Sequence, residues 1–487
     1  MDDTGVYNSS HDSSSSCCYD GSPSTVSSPQ SCAVIGDSIA MGIIHRLKGA
    51  IFPSGDDDAA PTTDSSLSAV LGGMTSSGPN GTILAGNGYY AVHPPDLNVV
   101  LGMTAGTFVG LLFGVAFASV IYRTMSLGRG GGEEGKNVDE NYEGGGGSWK
   151  RTTPLIRTTL VVSSILLPYA IMTLFGIENS ASRFAICSSF VLYFFRTLEA
   201  TFGYVPPGAS RSFGVYAAYF ALPFDMSFDS VTDEPIMATK GEIEAGMKRA
   251  MLDVATIIFL CSILSPYDYM PFGSRRAGLD GYGLLGLLHW RHLGDCLVIA
   301  FFFQQGLSVS FSLFGNAIQS TLGYRSTPMM RSPIIEATSP SDFWGRRWNV
   351  LVHAVMKRGL YKPVRRRTNS ALIASLAVFV ASGAFHEWLV HACFLYGKSD
   401  NRNDVRIGSQ TAFFVWNFVV VAIEGVLLRN ERFANFGKMV PRWLIPSLIV
   451  MTSLPVAHWF GDPYKNGGFF PDYEKCFPII RKVVTAV

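Results

Sequence analysis

Charged residues are scarce in this chain. Aspartate, glutamate, lysine and arginine make up 15% of its 487 residues, whereas an ordinary soluble domain contains about 25%. Hydrophobic residues make up 48%, and they occur in blocks that are too long for buried strands and lack the strict alternation of an outer-membrane β-barrel. Because backbone in lipid must satisfy its own hydrogen bonds, helices are the expected spanning elements. The composition predicts an all-α polytopic membrane protein.

Several familiar signatures are also missing. The eight cysteines follow neither a disulfide framework nor a metal-ligand spacing. The first thirty residues are polar and contain no lysine or arginine, so we expect no cleavable signal peptide. A net charge of +1 gives no reason to expect a nucleic-acid partner. No metal or organic cofactor is implied.

Composition divides the chain into five segments. Residues 1–96 are rich in serine, glycine and aspartate and are predicted to be a disordered tail. A first transmembrane span follows at 97–122, and a glycine-rich linker at 123–150 is expected to be flexible. Residues 151–460 form the main membrane domain, and 461–487 form a C-terminal tail.

About eight stretches are apolar enough to span a bilayer. A hydrocarbon core of about 30 Å needs roughly 20 helical residues. The piece at 213–224 is too short to cross alone and is expected to lie at the interface or to re-enter. The predicted spans are 97–122, 154–176, 184–203, 250–267, 293–315, 370–396, 411–428 and 442–460.

The distribution of basic residues predicts the orientation. The loop at 323–369 contains ten lysines and arginines, opposed only by Glu336 and Asp342, so it should be cytosolic. Eight crossings then leave both termini in the lumen. The two glycosylation sequons, at Asn8 and Asn80, would face a glycosylating compartment.

His386 is the strongest functional candidate because it lies deep in the predicted span 370–396. At about 1.5 Å per residue it is about 24 Å from the cytosolic end of that helix and about 15 Å from the lumenal end. An ionisable residue at this depth is costly and marks function by default. Desolvation favours the neutral imidazole, which can act as a general base. The alternative is a satisfied polar group that joins two helices.

The neighbours of His386 allow further interpretations. Ser382 lies one turn earlier on the same face, so it is either the nucleophile of a Ser-His pair or a small residue that lets helices approach closely. Glu387 points about 100° away and is expected to pair with another helix. His391 is rotated by roughly 140° from His386, which argues against a shared zinc ion.

Other polar residues also fall in the predicted spans. Arg196 and Glu199 are three residues apart on one helical face, so we expect them to neutralise each other in a structural pair. Glu424 has no partner nearby in the sequence, and His391 and Arg196 are its two candidates across the bundle.

An aromatic and basic cluster precedes the His386 helix. Asn349 could hydrogen-bond a ligand carbonyl or thioester, or it could simply cap a helix. The basic residues could meet the phosphates of an anionic cofactor or only lipid headgroups.

Three motifs in this order resemble the wax synthase branch of the membrane-bound O-acyltransferases. They are Ser-Asp-Phe-Trp-Gly-Arg-Arg-Trp-Asn at 341–349, Tyr-Lys-Pro at 361–363 and Ser-Gly-Ala-Phe-His-Glu at 382–387. The resemblance implies that helices enclose a reaction tunnel, that His386 is the catalytic histidine, and that Asn349 is the second polar residue of the site. Ser382, Glu387 and Glu424 are possible supporting residues. The acyl-CoA-binding candidates that the resemblance implies are Arg346, Arg347, Trp344, Trp348 and Arg358.

The same resemblance implies O-acylation of a lipid alcohol from acyl-CoA as co-substrate, in the endoplasmic reticulum membrane and in contact with membrane lipids. A long-chain fatty alcohol, giving a wax ester, is the expected acceptor, and a sterol, diacylglycerol or terpenoid alcohol is the alternative. Two other classes compete. One is a proton-coupled transporter with a relay of His386, Glu387, His391 and Glu424, although no internal repeat is visible. The other is a non-catalytic scaffold.

Overall fold

Helices provide nearly all of the regular structure, as the apolar blocks predicted. The computed structural model describes residues 83–85, 88–127, 154–273, 283–397, 405–429 and 440–483. Its α-helices, numbered α1 to α16 in chain order, are Leu97–Leu127, Pro154–Leu174, Ser180–Phe202, Phe213–Ala221, Lys240–Leu264, Gly283–Leu287, Trp290–Leu322, Pro333–Glu336, Pro340–Asp342, Val350–Met356, Lys362–Thr368, Ala371–Val390, Ser409–Leu427, Ile445–Ser453, His458–Asn466 and Phe469–Glu474.

Six of the eight predicted spans are long and apolar enough to cross a membrane in the described part of the chain. They are Leu97–Met125, Pro154–Leu174, Lys240–Tyr267, Trp290–Leu322, Ala371–Leu395 and Ser409–Leu427. The all-α polytopic class is therefore confirmed, with six rather than eight such helices among the described residues.

The other two predicted spans form helices of a different kind. The stretch at 184–203 lies in α3, where Arg183, Arg196 and Glu199 are all buried inside the protein. The stretch at 442–460 is broken, because α14 ends in a 3₁₀ turn, Leu454–Val456, that contains Pro455. Proline cannot donate a backbone hydrogen bond within a helix. The remaining apolar helix is too short to span a bilayer alone.

The short piece at 213–224 forms the nine-residue helix α4, in keeping with the prediction that it cannot cross alone. The side chain of Arg196, from α3, lies at the C-terminal end of α4. It donates to the carbonyl oxygens of Phe220, Leu222 and Phe224 at 2.7, 2.9 and 2.9 Å. A buried cation thus satisfies carbonyls that the end of a helix leaves free. The predicted Arg196–Glu199 pair is not a direct contact, since Glu199 binds Tyr219 and Arg358, although Arg196 still interacts electrostatically with Glu199.

A three-stranded antiparallel sheet joins parts of the two predicted tails. Its strands are β1, Ile83–Ala85, β2, Gly88–His93, and β3, Ile479–Val483, with β2 in the centre. Tyr90 pairs with Lys482 and Val92 with Ile480. Aromatic and β-branched residues favour strands, so the end of the segment 1–96 is ordered. The rest of that tail with both sequons, and most of the linker 123–150, lie outside the described residues.

The predicted C-terminal tail also contributes to the core. Helices α15 and α16 carry Tyr464 and Phe470, which are buried against Phe302 and Phe303 of α7. Burial of such aromatic side chains contributes strongly to stability. Residues 461–483 are therefore part of the packed membrane domain rather than an appendage.

The first span, α1, packs directly on α3. The hydroxyl of Tyr193 donates to the carbonyl oxygen of Gly110 at 2.9 Å. A Cβ atom at Gly114 would lie 2.7 Å from the Tyr193 ring, so only glycine allows this approach. Met103 and Thr107 of α1 reach the large central cavity, which makes the first span part of the cavity wall.

Candidate active site

His386 lies on α12 with one ring nitrogen fixed by the backbone. Its Nδ1 atom is 2.7 Å from the carbonyl oxygen of Ser382, one turn earlier. A carbonyl oxygen can only accept, so Nδ1 carries the proton and donates it. The lone pair of the imidazole is therefore on Nε2. The helix geometry itself selects the tautomer that can accept a proton at Nε2.

The surroundings of the His386 ring are aromatic. The ring centroids of Phe385, Phe414 and Phe460 lie 5.4, 4.7 and 5.3 Å from that of His386. Apolar surroundings disfavour the charged imidazolium. The His386 ring therefore has the apolar surroundings that its depth in the sequence predicted.

Ser382 supports His386 through its backbone, because the hydrogen bond goes to the Ser382 carbonyl rather than to the hydroxyl. This geometry gives no support to a Ser-His nucleophile pair. The neighbouring Gly383 allows a close approach of two helices, since a Cβ atom on it would lie 2.6 Å from the Cα atom of Thr411. Helices α12 and α13 therefore meet at van der Waals contact beside His386.

Glu387 pairs with another helix, as predicted. Its Oε1 atom accepts a hydrogen bond of 3.1 Å from the backbone N–H of Thr411, in the first turn of α13. A carboxylate is favourable there because the first N–H groups of a helix have no partner within the helix and carry a partial positive charge. Glu387 thus locks α12 to α13 and does not orient His386.

Glu424 has a partner that the sequence did not suggest. It accepts hydrogen bonds from the backbone N–H and the hydroxyl of Ser341 at 2.7 and 2.9 Å. The two partners considered, His391 and Arg196, are wrong. His391 instead makes a 3.0 Å hydrogen bond between its Nδ1 atom and the hydroxyl of Tyr169. Glu424 therefore anchors the start of the 341–349 motif to α13.

One large cavity of about 570 Å³ brings the motif residues together. This volume is typical of ligand pockets. Asn349, Ser382 and His386 line it, and so do Trp344 and Trp348. The two tryptophans form part of an apolar wall rather than a surface patch. Other aromatic residues of the wall include Phe303, Phe343, Phe379, Phe385, Phe414 and Phe460.

Two π-helical turns shape one side of the cavity. They are Phe343–Arg347 and Lys357–Tyr361, and each contributes lining residues, including Trp344, Lys357 and Tyr361. Wide turns of this kind are rare and occur frequently at functional sites. The two turns therefore indicate that the backbone of the 341–361 segment is shaped by its place in the cavity wall.

Asn349 combines a capping role with a place in the cavity wall. Its backbone is left-handed, with φ 45°, a conformation that asparagine tolerates better than most residues. Its Oδ1 atom accepts a 3.2 Å hydrogen bond from the N–H of Val352 and caps α10. Capping uses the carbonyl end of the amide, so the two N–H donors are the atoms that can contact a ligand.

The predicted acyl-CoA-binding arginines fall into two groups in the structure, those paired with carboxylates and one that is exposed. Arg347 donates to Asp342 at 2.7 Å and to Glu336 at 2.8 Å. Arg358 donates to Glu199 at 2.5 Å and to Asp225 at 3.0 Å. Both guanidinium groups are thus engaged by carboxylates within the protein, which argues against phosphate binding by Arg347 and Arg358. Arg346 is exposed and forms no ion pair with the residues that the structure describes.

His353 and Lys357 are cavity residues that the sequence analysis missed. His353 follows Asn349 by one helical turn, and its backbone N–H donates to the Asn349 carbonyl at 3.0 Å. Burial, together with the charges of Lys357 and Arg358, lowers the pKa of His353 to about 4. Lys357 is exposed and also lines the cavity, so it lies at the mouth. The sequence feature that could have identified His353 is the Asn-x-x-x-His spacing, which places it one helical turn after Asn349.

A comparison with known protein families finds a match in the part of the chain that contains the site. Residues 326–416 match the model of the membrane bound O-acyl transferase family, and this segment contains both Asn349 and His386. The resemblance inferred from the motifs is therefore confirmed over the part of the chain that holds the site.

Individual relatives agree with this family match. The chain is 33% identical over 172 residues to "Probable long-chain-alcohol O-fatty-acyltransferase 3" of Arabidopsis thaliana, which covers 33% of this chain and 46% of the relative. It is 28% identical over 187 residues to "Long-chain-alcohol O-fatty-acyltransferase" of Simmondsia chinensis, covering 37% and 46%.

A third relative is named for a different acceptor. The chain is 26% identical over 178 residues to "Acyl-CoA--sterol O-acyltransferase 1" of Arabidopsis thaliana, covering 35% of this chain and 45% of the relative. The chain thus spans less than half the length of each of these three relatives.

Proposed function

We propose that this protein is an acyl-CoA-dependent O-acyltransferase that esterifies a lipid alcohol. The observation that carries the proposal is the state of His386. Its Nδ1–H donates to the Ser382 carbonyl at 2.7 Å, so that its basic Nε2 atom is available in an aromatic cavity that it shares with Asn349. A fixed, neutral base in an aromatic cavity is suited to the activation of an alcohol.

The reaction can be written with these two residues. The alcohol oxygen attacks the thioester carbon while Nε2 of His386 takes the hydroxyl proton. The C–O bond forms, the C–S bond breaks, and the imidazolium returns the proton to the sulfur of coenzyme A. A positioned general base accelerates such a step by about 10² to 10⁴. No covalent acyl-enzyme is needed.

Asn349 would stabilise the charge that develops on the thioester oxygen. Its capping bond to Val352 occupies Oδ1, which leaves the amide N–H groups as donors. Removal of one such donor costs about 10² to 10³ in kcat in enzymes that use an oxyanion hole.

We place the entry of acyl-CoA at the exposed basic residues of the 323–369 loop, which would be cytosolic in an endoplasmic reticulum membrane. Lys357 at the cavity mouth and exposed Arg346 would contact the phosphates, with Arg365 to Arg367 nearby in sequence. A cluster of positive charge at a pocket entrance attracts anionic ligands. The acyl chain would then lie along the aromatic wall.

A long-chain fatty alcohol is the preferred acceptor, because two of the three relatives described above are named for that substrate. A sterol is the second candidate, supported by the relative named for it. Diacylglycerol and terpenoid alcohols present the same single hydroxyl on an apolar body, and the chemistry at His386 would be unchanged.

The transporter alternative is less well supported. A proton relay needs hydrogen-bonded neighbours, yet Glu387, His391 and Glu424 have the separate partners Thr411, Tyr169 and Ser341. The proposed relay residues are thus tied to different elements.

The test is acyl transfer in membranes from labelled acyl-CoA to a panel of fatty alcohol, sterol, diacylglycerol and terpenoid alcohol. Wild type should form ester with at least one acceptor, and His386→Ala should form none at matched expression. His391→Ala is the matched control, because its ring bonds Tyr169, and it should keep activity. Equal activity in wild type and His386→Ala, or no activity with any acceptor, would overturn the proposal.

A further inference from the structure

Three metal-binding side chains, His292, Cys296 and His458, come together away from His386, and of the three Cys296 lines the cavity. His292 and Cys296 are four residues apart on α7 and therefore share one face of that helix. His458 begins α15. One donor atom from each of the three residues lies within 4.8 Å of the others. Cys296 is 5% exposed.

The spacing of these atoms is close to that of a zinc tetrahedron. With zinc–sulfur bonds of about 2.3 Å and zinc–nitrogen bonds of about 2.0 to 2.1 Å, neighbouring ligand atoms are roughly 3.3 to 3.6 Å apart. The Sγ atom of Cys296 is 3.7 Å from Nε2 of His292. The carbonyl oxygen of Pro455 is 3.1 Å from that nitrogen and 3.2 Å from Nδ1 of His458.

We infer that His292, Cys296 and His458 form a binding site for a zinc-class transition-metal ion, with the Pro455 carbonyl or a water molecule in the fourth position. One thiolate and two imidazoles suit Zn²⁺ and do not suit Mg²⁺ or Ca²⁺, which prefer oxygen ligands.

Metal binding changes the protons at the site in a defined way. The thiol of Cys296 loses its proton to solvent, because the thiolate is the ligand. The two ring nitrogens that face the Pro455 carbonyl can donate to it in the absence of metal. To bind the ion through those nitrogens, each ring moves its single proton to its other nitrogen. One proton is thus released per ion bound.

The ion would be structural rather than part of the acyl-transfer step. It would join α7 to the turn at Pro455 and to α15, which carries Phe460. The Phe460 ring lies 5.3 Å from that of His386, and Cys296 itself lines the cavity. The ion would therefore hold one wall of the cavity in place.

The first test is the metal content of the purified full chain in detergent, measured by mass spectrometry after loading with Zn²⁺ and removal of the excess. Wild type should retain about one zinc ion per chain by the stoichiometry of the site, and Cys296→Ser and His458→Ala should retain little. His289→Ala is the control, because its Nδ1 atom accepts from the N–H of Arg291. The control should bind zinc like wild type.

A second measurement identifies the thiolate ligand directly and can be made on the wild-type protein. Loading wild type with Co²⁺ should give an absorption band from thiolate-to-cobalt charge transfer. The band should be absent in Cys296→Ser and retained in Cys261→Ser, which changes a different buried cysteine. Wild type that binds no stoichiometric zinc, or that shows no thiolate–cobalt band, would overturn the inference. Retention of zinc by all variants would do so as well.

Discussion

The Nδ1 atom of His386 lies 2.7 Å from the backbone carbonyl oxygen of Ser382. This contact joins two residues of one motif through the main chain, and it fixes the tautomer of the proposed base. The side chain of Ser382 is not needed for this contact. A substitution at Ser382 can therefore distinguish a general base held by the backbone from a Ser-His nucleophile pair.

Ser382→Ala should therefore keep acyl transfer close to the wild-type rate, since the carbonyl that orients His386 remains. A Ser-His nucleophile pair would instead lose about 10⁴ or more in rate, as serine hydrolases do when a triad member is removed. The measurement is the initial rate of ester formation at matched expression. A loss of that size in a well-folded Ser382→Ala protein would restore the nucleophile interpretation.

The capping and catalytic roles of Asn349 can be separated by two substitutions. Asn349→Asp keeps an oxygen that can accept from Val352 but removes the amide donors, so stability should hold while kcat falls by about 10² to 10³. Asn349→Ala also removes the cap, which adds a loss of about 1 kcal/mol in stability. Unchanged kcat in Asn349→Asp would leave Asn349 with the capping role alone.

Arg358 should behave as a structural residue. Its ion pair with Glu199 joins side chains that are 18% and 0% exposed. Arg358→Ala would leave a buried carboxylate without its cation and should cost about 3 to 5 kcal/mol in the free energy of unfolding. Exposed Arg346 gives the contrast, because Arg346→Ala should raise KM for acyl-CoA without lowering the melting temperature. The opposite pattern would return Arg358 to the acyl-CoA site.

Gly383 should be intolerant of a methyl group. A Cβ atom there would lie 2.6 Å from the backbone of Thr411, so Gly383→Ala must move α12 away from α13 and should destabilise the protein by about 1 to 3 kcal/mol. Gly425 on α13 is the matched control, because a Cβ atom at that position meets nothing within 4 Å. Gly425→Ala should be neutral or stabilising by roughly 0.5 to 1 kcal/mol. Thermal unfolding in detergent compares the two variants, and equal melting temperatures would contradict the close approach.

His353 should make stability depend on pH. Its pKa is lowered to about 4 in the folded protein by burial and by the charges of Lys357 and Arg358, whereas an unfolded histidine titrates near about 6.5. Between these values the unfolded chain binds the extra proton, so stability falls as pH drops from about 6.5 toward 4. The full effect is on the order of 3 kcal/mol. His353→Gln should show a smaller decrease in melting temperature between pH 7 and pH 5, and an unchanged decrease would contradict this assignment.

The sequence by itself determined the helical class, most of the spanning helices and the motif that matches the acyltransferase family. These features are local, since they depend on runs of apolar residues and on short ordered motifs. It also predicted correctly that Glu387 turns away from His386, because the angle between adjacent residues of a helix is fixed. His386 and Asn349 line one cavity, and their catalytic roles remain predictions.

Only the tertiary structure decided which groups are paired. Glu424 binds Ser341, and Arg358 binds Glu199, 159 positions away. His458 approaches His292 across a similar distance along the chain. Such contacts depend on how helices pack. The sequence shows which residues are charged, but it does not show which residues they contact. The basic loop therefore looked uniformly available for phosphate, whereas Arg347 and Arg358 are both paired with carboxylates within the protein. For Arg358 the partner Glu199 is fully buried, and a buried carboxylate needs such a cation.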